Sequence, residues 1–175
     1  LLARKADVKS RSRSGTDALT IATTYRGTAT VLQLLLDAGA EVQAPEGVRT
    51  RYSPLALASM TGDLESTRLL LARGAQPAAE ALSEAVTFGN AETVRALIKA
   101  GADAGIREAS GVNLLHWAAI TNRASVISTL VEGHVPLDDI HNFGFTPLMY
   151  AATLDHGNTE TVEELLKAGA DQSIR

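Results

Sequence analysis

The segment TPLMYAATLDHGNTETVEELLKAGAD, from Thr146 to Asp171, carries the pattern that decides the fold. It opens with a polar residue, a proline and a leucine, and it closes with Gly-Ala-Asp. Leu148 and Ala151 stand three residues apart, which places both on one face of a helix. After a polar break, a second apolar stripe with helical spacing is formed by Val162, Leu165 and Leu166. The segment therefore predicts two short helices joined by a turn.

Four weaker copies of this pattern precede it in the chain. Leucine recurs at positions 19, 55, 82, 115 and 148, with alanine three residues later at 22, 58, 85, 118 and 151. A second leucine series lies at 35, 70, 97, 130 and 165, and glycine closes four copies at 39, 74, 101 and 169. The copies are 36, 27, 33 and 33 residues apart, a period typical of repeat arrays.

The ends of the predicted helices have a physical basis. Four copies begin with a side chain that can accept a hydrogen bond from the first helical turn, namely Asp17, Ser53, Asn113 and Thr146. Proline follows at 54 and 147, in the first turn, where a missing N–H costs nothing. The closing glycines supply the left-handed residue that ends a helix.

Together these motifs resemble the ankyrin repeat, whose hallmark is Thr-Pro-Leu-His with two alanines, followed by two leucines and Gly-Ala-Asp. The resemblance covers nearly the whole chain. It implies an all-α solenoid of stacked helix-turn-helix units, in which short β-hairpin fingers lie beside the inner helices and each unit contacts only its neighbours. We expect one domain over residues 1–175, with a partial repeat at 1–12 and units one to five at approximately 13–48, 49–78, 79–108, 109–141 and 142–175. The partial motifs at both ends suggest that the array continues beyond this chain.

The spacing also predicts the individual helices. Inner helices are expected near residues 17–25, 53–61, 80–88, 113–121 and 146–154. Outer helices are expected near 28–38, 63–73, 90–100, 123–133 and 158–168.

Unit three departs from the pattern. Glu80 follows Gly74 by only six residues, whereas the other fingers use twelve to fourteen. This unit also has Glu84 where the others have Ile21, Leu57, Trp117 and Tyr150. A carboxylate is tolerated at that position if no finger covers it. We therefore predict that unit three lacks a finger and that Glu84 is accessible to solvent.

Composition limits the function classes. Hydrophobic residues make up 45% of the chain, which is too many for a disordered segment. The absence of cysteine excludes disulfides, thiolate metal sites and cysteine nucleophiles. The net charge is −4, divided into +3 over residues 1–52 and −7 over residues 53–175. This acidic majority argues against a general nucleic-acid binder, and no apolar run reaches the roughly 18 residues that span a bilayer.

No catalytic or cofactor-binding motif is present in the sequence. It contains no G-x-S-x-G, P-loop, H-E-x-x-H or G-x-G-x-x-G pattern. His116 occupies the histidine position of the repeat motif, where a local hydrogen-bonding role is favoured over general base catalysis. The run HVPLDDIH, residues 134–141, has the side chains of a zinc site, but a solvated finger does not fix their geometry. We therefore predict no enzyme, no cofactor and no metal.

The resemblance implies that a partner protein binds the concave face, which is lined by the ends of the inner helices and by the fingers. Candidate contact residues on this face are Arg11, Arg13, Tyr25, Arg26, Arg49, Arg51, Tyr52, Met60, Thr61, Thr87, Phe88, Ile120, Thr121, Phe143, Leu154, Asp155 and His156. Aromatic side chains are frequent anchors of interfaces, although several here could instead pack against their own turns. The arginines at 11, 13, 49 and 51 could receive an acidic or phosphorylated segment.

The expected protein is a monomer whose partner is neither nucleic acid nor membrane. Two alternatives remain open at this point. The chain could be a regulatory or spacer segment of a larger protein, fused to an enzyme, or it could be a structural stack without a partner.

Overall fold

The computed structural model describes residues 7–43, 52–153 and 159–174. Within these ranges the chain forms ten α-helices. In chain order they are α1 (Ala18–Ala22), α2 (Ala29–Asp37), α3 (Pro54–Thr61), α4 (Leu64–Ala72), α5 (Ala79–Thr87), α6 (Ala91–Lys99), α7 (Leu114–Ile120), α8 (Ala124–Glu132), α9 (Pro147–Thr153) and α10 (Glu160–Lys167). The expected helices are all found, with ends that differ by a few residues.

The helices stack in two layers. The inner helices α1, α3, α5, α7 and α9 each pack against the next inner helix, and the outer helices α2, α4, α6, α8 and α10 do the same. Each inner helix also packs against the outer helix that follows it. This arrangement is the predicted all-α solenoid. The five helix pairs fall within the expected units, whose outer bounds stay predictions.

Polar side chains cap the inner helices as the sequence indicates. The Asp17 carboxylate accepts from the Thr20 N–H at 2.8 Å, and the Ser53 hydroxyl accepts from the Ala56 N–H at 3.1 Å. Asn113 and Thr146 cap α7 and α9 in the same way. The first residue of α5 follows Ala78, which has no capping side chain.

The outer helices end in a left-handed residue. Gly39, Gly74, Gly101 and Gly169 have φ between +92° and +99°. In unit four His134 takes this position with φ +61°, and the next N–H, of Val135, reaches back to the Leu130 carbonyl at 3.0 Å. His134 therefore ends α8 in the left-handed conformation that the closing glycines adopt in the other units.

One continuous core runs between the two layers. The leucines at 19, 82 and 115 on inner helices, and at 70, 97, 130 and 165 on outer helices, are fully buried. The alanines at 58, 85 and 118 are also fully buried, which lets adjacent inner helices approach closely. Leu148 is only half-buried, because no inner helix of the described chain packs on the far side of α9.

Three fingers are tight hairpin turns with a shared geometry. The N–H of the first residue donates to the carbonyl of the fifth in Ser12–Thr16, Glu108–Val112 and His141–Phe145, at 2.8 to 3.2 Å. Arg107 and Asn113 extend the second of these by one antiparallel bridge. Residues 44–51, where the finger of unit two is expected, lie outside the described residues.

Unit three has no such finger. Residues 75–78 form a short connection without hairpin pairing, and α5 begins at Ala79. Glu84 is half-buried, so the residue is partly accessible to solvent. The prediction drawn from the short spacing is confirmed.

Among the described helices, none is long and apolar enough to cross a membrane.

Candidate protein-interaction surface

The ends of the inner helices and the fingers form one side of the stack, which we call the finger side. Three large aromatic side chains project from it into solvent: Tyr25 is 68% exposed, Phe88 is 47% exposed and Phe143 is 80% exposed. Tyr25 follows α1, Phe88 caps α5, and Phe143 lies at a finger tip. These residues leave a substantial apolar area uncovered, which is the usual feature of an interface anchor.

Smaller side chains lie at the ends of three inner helices. The last turns of α3, α5 and α7 present half-buried residues at the predicted positions Met60, Thr61, Thr87, Ile120 and Thr121. The three threonine hydroxyls donate to carbonyls of their own helices, so each can still accept a hydrogen bond from a ligand. Leu154, Asp155 and His156 lie outside the described residues.

The tyrosine at position 52 is in a different environment. It is half-buried and packs against the hydrophobic core at the start of unit two. It therefore has a structural role in addition to any contact with a partner.

The predicted arginines are not equivalent. The guanidinium of Arg11 is 2.8 Å from a carboxylate oxygen of Asp17 and 3.6 Å from one of Glu41, and it donates to the Gly15 carbonyl. Only 16% of the Arg11 side chain is exposed, so its charge is engaged in holding the first finger against α1. Arg13 and Arg26 are exposed.

The positions at 49 and 51 lie outside the described residues. That the four arginines bind an acidic segment therefore stays a prediction. The pairing of Arg11 with carboxylates of its own chain makes Arg11 a weaker candidate for this contact.

A cluster of rings joins unit four to unit five. The Nε2–H of His116 donates to the Phe145 carbonyl at 3.1 Å, and the Nε2 atom of His141 lies 2.6 Å from the Tyr150 hydroxyl. His141 Nδ1 accepts from the Phe143 N–H at 2.8 Å. Burial lowers the pKa of His116, which favours the neutral ring. These contacts make the cluster a polar bridge between fingers and inner helices.

The expectation that His141 lies on a solvated finger is wrong, because its ring is buried beneath Phe145 and Tyr150. The Asp139 carboxylate accepts from Asn113 and pairs with Arg107. The Asp139 carboxylate and the His141 imidazole are therefore both engaged in contacts within the protein. Within the described residues, no group of three or more His, Asp or Glu side chains is arranged to hold a metal.

A cavity of about 360 Å³, which we call the notch, lies where unit three lacks a finger. It is bordered by α5 and by the Glu108–Val112 finger, which we call the unit-four finger. Its walls include Glu80, Ser83, Ile106, Glu108, Val112 and Trp117. The indole N–H of Trp117 donates to a Glu108 carboxylate oxygen at 2.8 Å. Sequence reasoning identified the gap at unit three but missed this set of residues, because the finger residues join α5 only in the folded stack.

Comparisons with known proteins agree with this architecture. The family model described as ankyrin repeats (3 copies) matches residues 82–175. The crystal structure of the human ASB11 ankyrin repeat domain superposes with a TM-score of 0.83 over 99% of this chain and 78% of that chain, at 24% identity. This likeness supports the fold alone.

The matching region of curated relatives is part of longer proteins. The chain is 36% identical over 93 residues to palmitoyltransferase Hip14 of Drosophila melanogaster and 34% identical over 92 residues to palmitoyltransferase ZDHHC17 of Homo sapiens. It is also 34% identical over 92 residues to a putative palmitoyltransferase ZDHHC13 of Danio rerio. These matches cover 52–53% of this chain but only 14% of each relative.

Ankyrin repeats are protein-interaction modules and are themselves non-catalytic. The repeated helix pairs, the left-handed glycines and the matched residues 82–175 lead to one conclusion: this chain belongs to the ankyrin repeat family and is a protein-interaction domain.

Proposed function

We propose that this domain binds its partner protein along the finger side, which is the concave face in the ankyrin resemblance. The observation that carries the proposal is the exposure of Tyr25, Phe88 and Phe143 on this side. On the outer helices of the interior units α4, α6 and α8, the largest apolar residues are buried or half-buried. A partner that covers an exposed aromatic ring removes a large apolar area from water, and this desolvation stabilises the complex.

The polar ends of the inner helices support the same surface. Thr61, Thr87 and Thr121 lie at the ends of the inner helices of three successive units and keep acceptor capacity on their hydroxyl oxygens. An extended segment that lies across the units would meet one such group at each step. We propose that the partner contributes an extended segment rather than a compact domain.

A charged contribution is proposed at the N-terminal end of the finger side. Arg13 and Arg26 are exposed there, and Arg49 and Arg51 belong to the next expected finger. An acidic or phosphorylated residue of the partner would be recognised by these guanidinium groups. The balance of +3 over residues 1–52 supports this polarity. We also propose a monomer without nucleic-acid or membrane partners, in agreement with the −7 balance of residues 53–175.

The experiment is a selection of peptide binders from a random displayed library, followed by mapping of the bound site. Selected peptides are titrated against the wild-type chain, Phe88→Ala, and the outer-helix variant Arg68→Ala as the matched control. We expect Phe88→Ala to weaken binding at least tenfold while Arg68→Ala leaves it unchanged. Binders that depend on Arg68 and ignore Phe88 would assign the interaction to the outer helices and refute the proposal.

The relatives favour one further statement about context. We propose that the domain is a non-catalytic, partner-binding segment of a larger protein, as in the palmitoyltransferases of which the matching region covers 14%. Sequencing the complete transcript tests this directly. A transcript that encodes only ankyrin repeats would contradict it.

A further inference from the structure

The notch differs from the rest of the finger side in its chemistry. In units four and five the fingers are joined to each other, since the Asn142 N–H donates to the Ser110 carbonyl at 2.8 Å and the Asn142 side chain donates to the Ala109 carbonyl at 3.2 Å. The opposite edge of the unit-four finger has no such neighbour, because residues 75–78 form no hairpin. Its side chains therefore border an open cavity of about 360 Å³.

The notch carries negative charge on two opposing walls. Glu80 lies on α5, and Glu108 lies on the unit-four finger. The backbone N–H and the hydroxyl of Ser53 bond to the Glu80 carboxylate, which keeps it at the wall. Burial, and then the charge of Glu84 one turn later, raise the pKa of Glu80. Its carboxylate is therefore poorly compensated, and a cation would stabilise it.

An aromatic ring adjoins these carboxylates. The Trp117 indole is half-buried and donates its N–H to Glu108, so the ring and this carboxylate are held side by side. An indole face attracts cations, and a neighbouring carboxylate strengthens that preference. Ile106 and Val112 add apolar wall that suits the methylene stem of a long side chain.

The one cation on the described walls is already neutralised. Arg107 lines the notch, and its guanidinium pairs with the Asp139 carboxylate of the following finger. Among the described lining residues, the charge left uncompensated is therefore that of Glu80 and Glu108.

We propose that the notch is a side-chain pocket for a lysine or arginine of the partner segment that lies along the finger side. The stem of that residue packs on Ile106 and Val112, and its charged head lies between Glu80, Glu108 and Trp117. The inference rests on the proposed function for the source of the residue, a protein segment. The notch then makes binding specific for a partner segment that carries a cationic residue opposite unit three.

The single tryptophan of the chain makes the notch directly observable. Acetyl-arginine methylamide is titrated into the protein while Trp117 fluorescence is recorded, and acetyl-citrulline methylamide serves as a neutral probe of nearly the same shape. We expect a saturable change with the arginine probe that shrinks at high salt, and at least a tenfold weaker response to citrulline. Equal responses to the two probes, or none to arginine, would overturn the proposal.

Variants separate the carboxylates from a general charge effect. Glu80→Gln and Glu108→Gln retain acceptors for Ser53 and Trp117, and we expect each to weaken the arginine response at least fivefold. Glu65→Gln on the exposed face of α4 is the matched control and should leave it unchanged. Circular dichroism and urea midpoints verify that the variants are folded. A response that survives both notch substitutions would contradict the assignment.

Peptides from the displayed library distinguish this inference from the proposed function. Both proposals are supported by one set of results. The binders require Phe88, and lysine or arginine is enriched at one peptide position. That enrichment disappears when the library is selected against the Glu80→Gln/Glu108→Gln variant. Binders that require Phe88 but show no cationic preference refute the notch assignment alone. A specific arginine response without any finger-side binder would leave the notch standing and refute the proposed function.

Discussion

The side-chain amide of Asn90 donates a hydrogen bond to the backbone carbonyl of Ser59 at 2.9 Å, and this bond ties the turn of unit three to the inner helix of unit two. Equivalent bonds join the other units. Arg123 Nε donates to the Thr87 carbonyl at 2.8 Å, and the Gly27 N–H donates to the Asp63 carboxylate at 2.8 Å. Apolar contacts hold the layers together, and these polar contacts fix the register between successive turns.

The first prediction concerns this register. Asn90→Ala removes two bonds between units, to the Ser59 and Met60 carbonyls, but leaves the Ser59 carbonyl bonded to the Gly62 N–H. We therefore expect a loss of about 1–2 kcal/mol in the free energy of unfolding, the contribution of one or two hydrogen bonds. Urea titration measures it, with Arg68→Ala as a surface control. A loss no larger than that of the control would show that these bonds do not couple the units.

The second prediction concerns the shared core. Leu97 is completely buried between α6 and its neighbours, whereas Leu34 on α2 is 57% exposed. Leu97→Ala should cost about 2–5 kcal/mol of unfolding free energy, because it leaves a cavity in packed surroundings. Leu34→Ala, the same chemical change at an exposed site, should cost below about 0.5 kcal/mol. Similar urea midpoints for the two variants would contradict the assignment of Leu97 to the core.

The third prediction uses the left-handed residue that ends α8. His134 has φ +61°, which costs an L-residue about 1–2 kcal/mol relative to glycine. His134→Gly should therefore stabilise the protein by about 1 kcal/mol. The matched reverse change is Gly101→Ala, where φ is +98° and an added Cβ meets no atom within 4 Å, so only backbone strain is introduced. We expect it to destabilise by about 1 kcal/mol. Thermal unfolding shifts of the same sign for both variants would refute the argument.

The fourth prediction concerns pH. Burial lowers the pKa of His116 in the folded protein, whereas in the unfolded chain an ordinary histidine titrates near about 6.5. Below that pH the unfolded state binds more protons at this site, so stability should fall as pH decreases from 7 toward 5. His116→Gln should flatten this part of the pH profile, and the surface control Arg68→Ala should not. Parallel profiles for wild type and His116→Gln would rule out this source of pH dependence.

The fifth prediction separates the two contributions to partner binding. Arg49→Glu/Arg51→Glu should slow association, and the effect should shrink as salt is added, because charges that steer an encounter act through long-range attraction that salt screens. Tyr25→Ala and Phe88→Ala should instead accelerate dissociation, since desolvated anchors hold the complex together. Surface plasmon resonance with a selected peptide measures both rates. Arg68→Ala is the control. If the Arg49→Glu/Arg51→Glu variant changes only the dissociation rate, electrostatic steering of association by these arginines is contradicted.

The sequence by itself determined the fold and its units. Recurring leucine and alanine pairs define the buried faces, and capping residues such as Ser53 and Asn113 mark where the inner helices begin. These signals are local, because a helix of two or three turns is specified by residues three or four positions apart. The same local logic identified the missing finger before α5.

Only the tertiary structure decided which polar groups are available at the surface. The sequence could not show that Arg11 pairs with Asp17 and Glu41, or that His141 is buried by Phe145 and Tyr150, because these contacts depend on how turns and helices pack. The notch likewise exists because stacking brings Glu80 on α5 close to Glu108 on the following finger and to Trp117 on α7. Backbone periodicity is fixed by neighbours in the chain, whereas charge compensation and burial are fixed by neighbours in space.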